Sequence, residues 1–171
     1  MAASITRHEG DLLANVQEGV IVHGCNCEGA MGAGFALALR KRYPAAYEAY
    51  KQHEAACGLV LGDVNFIAGH QAVPADRAMA LVHKVSLELP PKLLIANAMT
   101  QATTGRDPSV RYVSYAAVFS AFARIALVAR MAKAEVHFPL IGCGLANGKW
   151  DEIEPLIEKA MGGVPAHLWV L

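Results

Sequence analysis

The sequence predicts a single α/β domain of three α/β/α layers, built on a mixed, mostly parallel central sheet of about six strands. Three observations predict it. Short apolar runs alternate with longer amphipathic ones along all 171 residues, which is the pattern of a sheet with helices on both faces. The run GVIVHGC over 19–25 shows no polar alternation, as expected of a strand buried on both sides. Hydrophobic residues make up 54% and charged residues 18%, enough for one well-buried core and unlike a disordered chain.

The elements run in order along the chain. Residues 5–9 read as a first strand, stopped at Gly10 and Asp11, and 19–25 as a second. Phe35, Leu39 and Tyr43 recur at four-residue spacing and predict a helix over 32–43. Pro44 suits the first turn of another, over 44–56. Residues 64–68 and 79–85 look like strands around a turn at 69–76, and 93–98 is a further buried strand. The polar stretch 100–109, with Gly105 and Pro108, reads as a loop. Tyr112, Tyr115, Phe119, Phe122, Ala126 and Ala129 mark the strongest helix, their stripe facing the core. A strand over 135–138, a helix over 150–161 that Pro155 must start or bend, and a strand over 167–171 complete the chain. There is no repeat, linker or low-complexity segment, so residues 1–171 form one domain.

Charge and cysteine content narrow the function. Lys plus Arg and Asp plus Glu each number 15, without the basic excess of a nucleic-acid surface. Arg40, Lys41 and Arg42 read as the solvated end of a helix. No run is expected to span a membrane, and no leader opens the chain. Four cysteines in a chain of this length suit reduced thiols and a cytoplasmic protein. Cys25 and Cys27 lack the spacing and second ligand pair of a zinc site, so neither a metal nor a cofactor is expected.

The chemistry lies in two glycine-rich stretches. GAMGAGF, 29–35, leaves a predicted strand and enters a predicted helix, and PLIGCGLANG, 139–148, does the same later. Glycine lets backbone approach a ligand closely, and a helix start offers free N–H groups and a positive dipole end. Together they make an anion site, typically for phosphate. The first stretch fits neither the dinucleotide fingerprint G-x-G-x-x-G nor a P-loop, and it holds no lysine. Two such loops at two strand ends suit a diphosphate held from both sides by backbone groups.

With EGDL at 9–12, VHGCN at 22–26, LIAN at 94–97 and Trp150, these stretches resemble, in order, the motifs of a macrodomain. The branch is the one that holds ADP-ribose-1''-phosphate phosphatases and the terminal ADP-ribose protein glycohydrolase. The resemblance implies ADP-ribose, or a derivative such as an ADP-ribosylated protein, as ligand. It assigns Asp11 to the adenine amino group and Leu12 to the base, where a carboxylate accepts from an exocyclic amine. It puts Asn26 on hydroxyls of the distal ribose, and wraps Met31, Gly32, Ala33, Gly34 and Phe35 around that ribose and one phosphate. Ile141, Gly142, Cys143, Gly144 and Leu145 meet the other phosphate, and Asn97 holds the site by hydrogen bonds.

The glycohydrolase branch uses a lysine and an aspartate where this chain has Gln101 and Ala146, which argues against a lysine adduct. His23, at the place of a histidine in the phosphatase branch, is expected to titrate near neutrality and to pass a proton, with Gln101 orienting water or a substrate carbonyl. A histidine packed inside its strand is the competing reading. Cys143 reads as a small packing residue; Arg106 and Asp107 lie in a loop with two readings, a cover for the ligand and, the stronger one, a solvated pair. Two functions stay open: a hydrolase acting on a phosphate, acyl or protein ester at the distal ribose, and a non-catalytic reader of ADP-ribose or ADP-ribosylated protein. RNA binding has little support from zero net charge.

Overall fold

The structure is a computed structural model and describes residues 4–69 and 92–171. The strand expected at 79–85, and the turn at 69–76 beyond Gly69, lie outside the described residues. In chain order the elements are β1 (Thr6–Glu9), α1 (Leu12–Asn15), β2 (Gly19–Asn26), α2 (Gly34–Arg42), α3 (Pro44–Cys57), β3 (Val64–Ala68), β4 (Leu93–Gln101), α4 (Tyr115–Ala132), β5 (Val136–Phe138), α5 (Trp150–Met161) and β6 (Ala166–Val170).

Among the described residues the sheet has six strands in the order β1-β6-β5-β2-β4-β3. All neighbours run parallel except β3, which lies antiparallel to β4 at one edge. The mixed, mostly parallel sheet expected from the sequence is therefore present. Alternation along the two central strands builds the layers. Val20, Val22, Leu94, Ala96 and Ala98 pack with α4 and α5; Ile21, Leu93 and Ile95 pack with Leu39, Tyr43, Ala46 and Ala49 of the α2–α3 side. Successive residues of a strand point to opposite faces, and both faces here are covered.

Three local expectations need correction. First, α1 was not foreseen. Asp11 accepts the N–H of Leu13 at 2.9 Å and caps one short turn, which buries Leu12 and Leu13. Second, α4 starts at Tyr115 and not near Tyr112, because the Tyr112 N–H goes to Ala146 O at 2.9 Å and Ser114 caps the helix. Phe119, expected in the core stripe, lies at the margin of the buried face at 36% exposure, while Ala117, Val118, Ala121, Phe122, Ile125, Ala126 and Ala129 are buried. Third, α4 is long and apolar enough for a membrane span by length and composition, against the expectation that no run would be. Its buried face packs against the sheet as that of a core helix does. Pro155 sits inside α5 beyond the first turn without ending it.

Candidate functional site

The carboxyl ends of the parallel strands β2, β4 and β5 open into one cleft of about 520 Å³. Its walls come from three segments. The β2–α2 loop supplies Asn26, Ala30, Gly32, Ala33, Gly34, Phe35 and Ala36; the end of β4 and the loop beyond it supply Thr100, Gln101, Thr104, Gly105 and Arg106; the β5–α5 loop supplies Leu140, Ile141, Gly142, Gly144, Leu145 and Ala146. The two glycine stretches thus face one space, in the crevice where open α/β sheets take ligands.

Both loops expose backbone donors. α2 begins after Ala33 with no side-chain cap, so the first-turn N–H groups of Gly34, Phe35 and Ala36 have no intrahelical acceptor. Gly34 adopts φ +55°, and a Cβ on it would meet nothing within 4 Å. Gly142 has φ +74°, and a Cβ there would press to 2.6 Å from the Val113 side chain; only glycine fits that turn. Gly148 N–H closes the second loop on Gly142 O at 2.7 Å. Among the described residues the N–H groups of Gly144, Leu145 and Ala146 meet no backbone acceptor. Among the described residues the lining has one guanidinium, Arg106, and no carboxylate. A neutral protein has here a pocket biased towards anions.

Asn26 does more for the loop than for the open space. Its Oδ1 accepts the N–H groups of Glu28 (3.0 Å) and Ala30 (3.1 Å), and Nδ2 donates to Ala30 O at 2.7 Å. The two N–H donors fix the amide orientation. The hydroxyl of the fully buried Tyr50 donates to both the carbonyl and Oδ1 of Asn26. One Nδ2 hydrogen remains for a ligand.

His23 is 1% exposed, with Nε2 on Asn97 and Nδ1 3.8 Å from the Cys25 thiol. In register across the sheet, His23 of β2 faces Asn97 of β4, which faces Asn65 of β3. Asn97 Nδ2 donates to Ala46 O (2.9 Å) and Asn65 Oδ1 (3.0 Å), so its Oδ1 must accept from His23 Nε2, at 2.5 Å. That places the imidazole proton on Nε2. Burial lowers the His23 pKa to about 4, only partly opposed by the Asn97 bond. The ring is neutral at pH 7 and does not titrate near neutrality, contrary to the expectation from sequence. It forms part of the cleft floor.

The remaining expected residues divide. Gln101 reaches the cleft, with Nε2 on Thr103 O at 3.0 Å. Ala146 lines the cleft too. Met31 packs with Cys25, Tyr50 and Met99, and Asn97 is fully buried in the polar row; neither side chain lines the cleft. Cys143 turns its thiol to Ile141 O at 3.5 Å and against the α4–α5 core, and burial raises its pKa. Asp11 and Leu12 lie outside the lining, the first exposed, the second in the core beneath α1. Among the residues of the site not assigned to it from sequence, two carry polar side chains of note. Thr100 is 1% exposed with no hydrogen-bond partner for its hydroxyl among the described residues, and Arg106 lines the cleft instead of pairing with Asp107. Loop register hides both, although a polar run directly after a buried strand was a signal.

No protein-family model matches the chain. An ADP-ribose 1''-phosphate phosphatase of Meyerozyma guilliermondii is 24% identical over 88% of this chain and 90% of its own. Other phosphatases of that name match along about 50 residues, such as one from Aspergillus clavatus of whose length the chain spans 25%. The Thermosipho africanus DarTG structure, in complex with ADP-ribose, shares the fold at a TM-score of 0.70 and 15% identity, over 97% of this chain and 42% of that one. A macrodomain protein from Streptomyces coelicolor is 30% identical, with a TM-score of 0.69 over 98% of this chain and 99% of that one. On that full-length likeness of sequence and fold, the protein belongs to the macrodomain family.

Proposed function

We propose that the cleft binds ADP-ribose, with its diphosphate between the two glycine loops, and that the protein hydrolyses an ester at the distal ribose. The observation that carries this reading is the pair of loops with unsatisfied N–H groups facing one carboxylate-free cleft. Amide donors preorganised in this way suit a diphosphate and stabilise charge that develops during ester hydrolysis. The likeness to an ADP-ribose 1''-phosphate phosphatase and the ADP-ribose complex of a protein of the same fold support the ligand. The distal ribose then lies by Asn26 and Gly32 to Phe35, and adenine by Asp11, whose second carboxylate oxygen makes no bond among the described residues.

Water is the attacking group in this reading, oriented by Gln101; it gives its proton to a phosphate oxygen of the ligand as the ester bond breaks. His23, neutral and tied to Asn97, shapes the floor and is proposed to hold the water's surroundings, not to deliver a proton from an imidazolium. With Gln101 and Ala146 in the lining where that route needs a lysine and an aspartate, no lysine adduct forms. The four free cysteines suit the cytoplasm as the site of action.

The deciding experiment incubates the protein with ADP-ribose 1''-phosphate, O-acetyl-ADP-ribose and glutamate-ADP-ribosylated protein. Release of phosphate, acetate or ADP-ribose identifies the ester. Binding of ADP-ribose without release from any of the three establishes the reader function instead, which the missing lysine and aspartate and the neutral His23 favour. No binding of ADP-ribose overturns the proposal.

A further inference from the structure

The loop after β4 is fastened to both walls of the cleft. On one side the N–H and hydroxyl of Thr104 both donate to Glu28 Oε2, at 2.8 and 2.7 Å. Glu28 belongs to the first glycine loop, 76 residues away in sequence. On the other side Asn147 Nδ2 donates to Asp107 O at 2.9 Å and Val110 O at 2.7 Å. Asn147 belongs to the second glycine loop and sits at φ +56°, a conformation uncommon outside glycine that asparagine tolerates best. Between the fastenings, Gly105 packs so closely on the Tyr112 ring that a Cβ would fall 2.1 Å from it, and the Asp107 N–H reaches Tyr112 Oη at 3.3 Å. Arg106 lies between the two fastened points and lines the cleft. Its sequence neighbour does not neutralise it: Asp107 Oδ1 accepts the N–H and hydroxyl of Ser109 at 2.9 and 2.7 Å. Among the described residues Arg106 makes no ion pair.

We infer that this loop is a fixed strap whose Arg106 recognises a second anionic group, a phosphate monoester on the distal ribose, and selects it over an uncharged acyl ester or a free hydroxyl. Glu28 acts as a positioning residue by holding the strap. The inference rests on ADP-ribose binding in this cleft. A guanidinium matches phosphate with two parallel N–H donors, and two fastenings remove the cost of ordering the loop backbone that carries Arg106. The amide loops serve the diphosphate of every ADP-ribose derivative alike, so they do not discriminate at the distal end; the strap does.

The experiment measures displacement of a fluorescent ADP-ribose by ADP-ribose 1''-phosphate and by free ADP-ribose, read in the first seconds before turnover. The quantity is the ratio of the two affinities. The wild type should prefer the phosphate by about tenfold or more, as one charge-assisted pair supplies. Arg106→Ala should bring the ratio close to one, with Arg106→Lys recovering part of it. Glu28→Ala should lower the ratio severalfold and Glu28→Gln restore it, because an amide oxygen still accepts from Thr104; a loss of folding alone would weaken both ligands together. A wild-type ratio near one, or a ratio unchanged in Arg106→Ala, overturns the inference while ADP-ribose binding stands. Failure of the wild type to bind free ADP-ribose removes the functional reading and this inference with it.

Discussion

Lowering the pH from about 7 to about 4.5 should destabilise the protein by about 2 kcal/mol through His23 alone. The imidazole is 1% exposed, and its Nε2 hydrogen is held by Asn97. Burial, the larger cause, outweighs that bond and lowers the pKa from 6.5 to about 4. The folded pKa lies below the unfolded one. In the window between them the unfolded chain therefore binds the proton that the folded protein refuses. Stability is full above about pH 6.5 and falls as the pH drops towards 4, at about 1.4 kcal/mol per unit of pKa difference traversed. His137, held down chiefly by burial and next by His167, and His167 itself shift in the same direction, so the variant His23→Gln is needed to isolate the effect. Glutamine keeps an N–H donor for Asn97 Oδ1 and does not titrate. Guanidinium denaturation at the two pH values should show a smaller pH loss in the variant, by about 2 kcal/mol. Proton NMR of the wild type should find no His23 titration between about pH 5 and 8. An equal pH loss in both proteins, or an imidazole midpoint near 6.5, would refute the assignment of a buried neutral ring.

Further outcomes can be checked at the site. Asp11→Asn keeps the α1 cap, since asparagine caps as well as aspartate, but offers adenine an amide donor in place of an acceptor; calorimetry should show ADP-ribose affinity down about tenfold to a hundredfold. Gly32→Val should abolish ADP-ribose binding with little change in melting temperature, because a Cβ there meets nothing within 4 Å and the side chain enters the cleft. Tyr50→Phe removes the hydroxyl that donates to Asn26 O and Oδ1 and should cost about 1–3 kcal/mol in chemical denaturation by leaving buried acceptors short of a donor. Borohydride added during turnover should trap no protein adduct, since Gln101 offers no amine; a trapped adduct seen by mass spectrometry would contradict the water mechanism.

Much of the fold was legible because local pattern and burial agree in it. The first halves of β2 and β4, Val20–Val22 and Leu93–Ala96, are apolar on both faces, and both faces are covered. Pro44 opens α3 where a proline fits. The errors occur where long-range contacts decide. Tyr112 stands at helical spacing from Tyr115, yet its N–H and that of Val113 are taken by Ala146 O, so α4 begins later. Phe119 stays beside Tyr115 and Phe122 on the helix, but the buried face centres on the side of Ala117, Ala121 and Ile125, which leaves Phe119 at its margin, with Lys159 6.0 Å from its ring centre. The four residues of α1 are too few to show a period at all.

The site divides along the same line, and its backbone half was the readable one. Glycine, alanine and a helix start announce where N–H groups lie open, because the donor is the main chain and the sequence need only leave it uncovered. A side chain's task depends on what stands beside it across the sheet. His23, Asn97 and Asn65 are far apart in the chain but adjacent on β2, β4 and β3, and that register turns a candidate proton carrier into one end of a satisfied polar row. Asn26, whose amide looks made for ribose hydroxyls, instead ties residues 26–30 into the shape that presents the glycine loop. Arg106 moves the other way: in sequence it neighbours Asp107 and reads as a solvated pair, but Ser109 takes the carboxylate and the strap sets Arg106 along the cleft. On the proposed reading, binding of the diphosphate falls to atoms common to every residue, and discrimination at the distal end falls to side chains placed by contacts between loops. Substitutions in the glycine loops should then change affinity for all ADP-ribose derivatives together, whereas those at Glu28, Thr104 and Arg106 should change the preference among them.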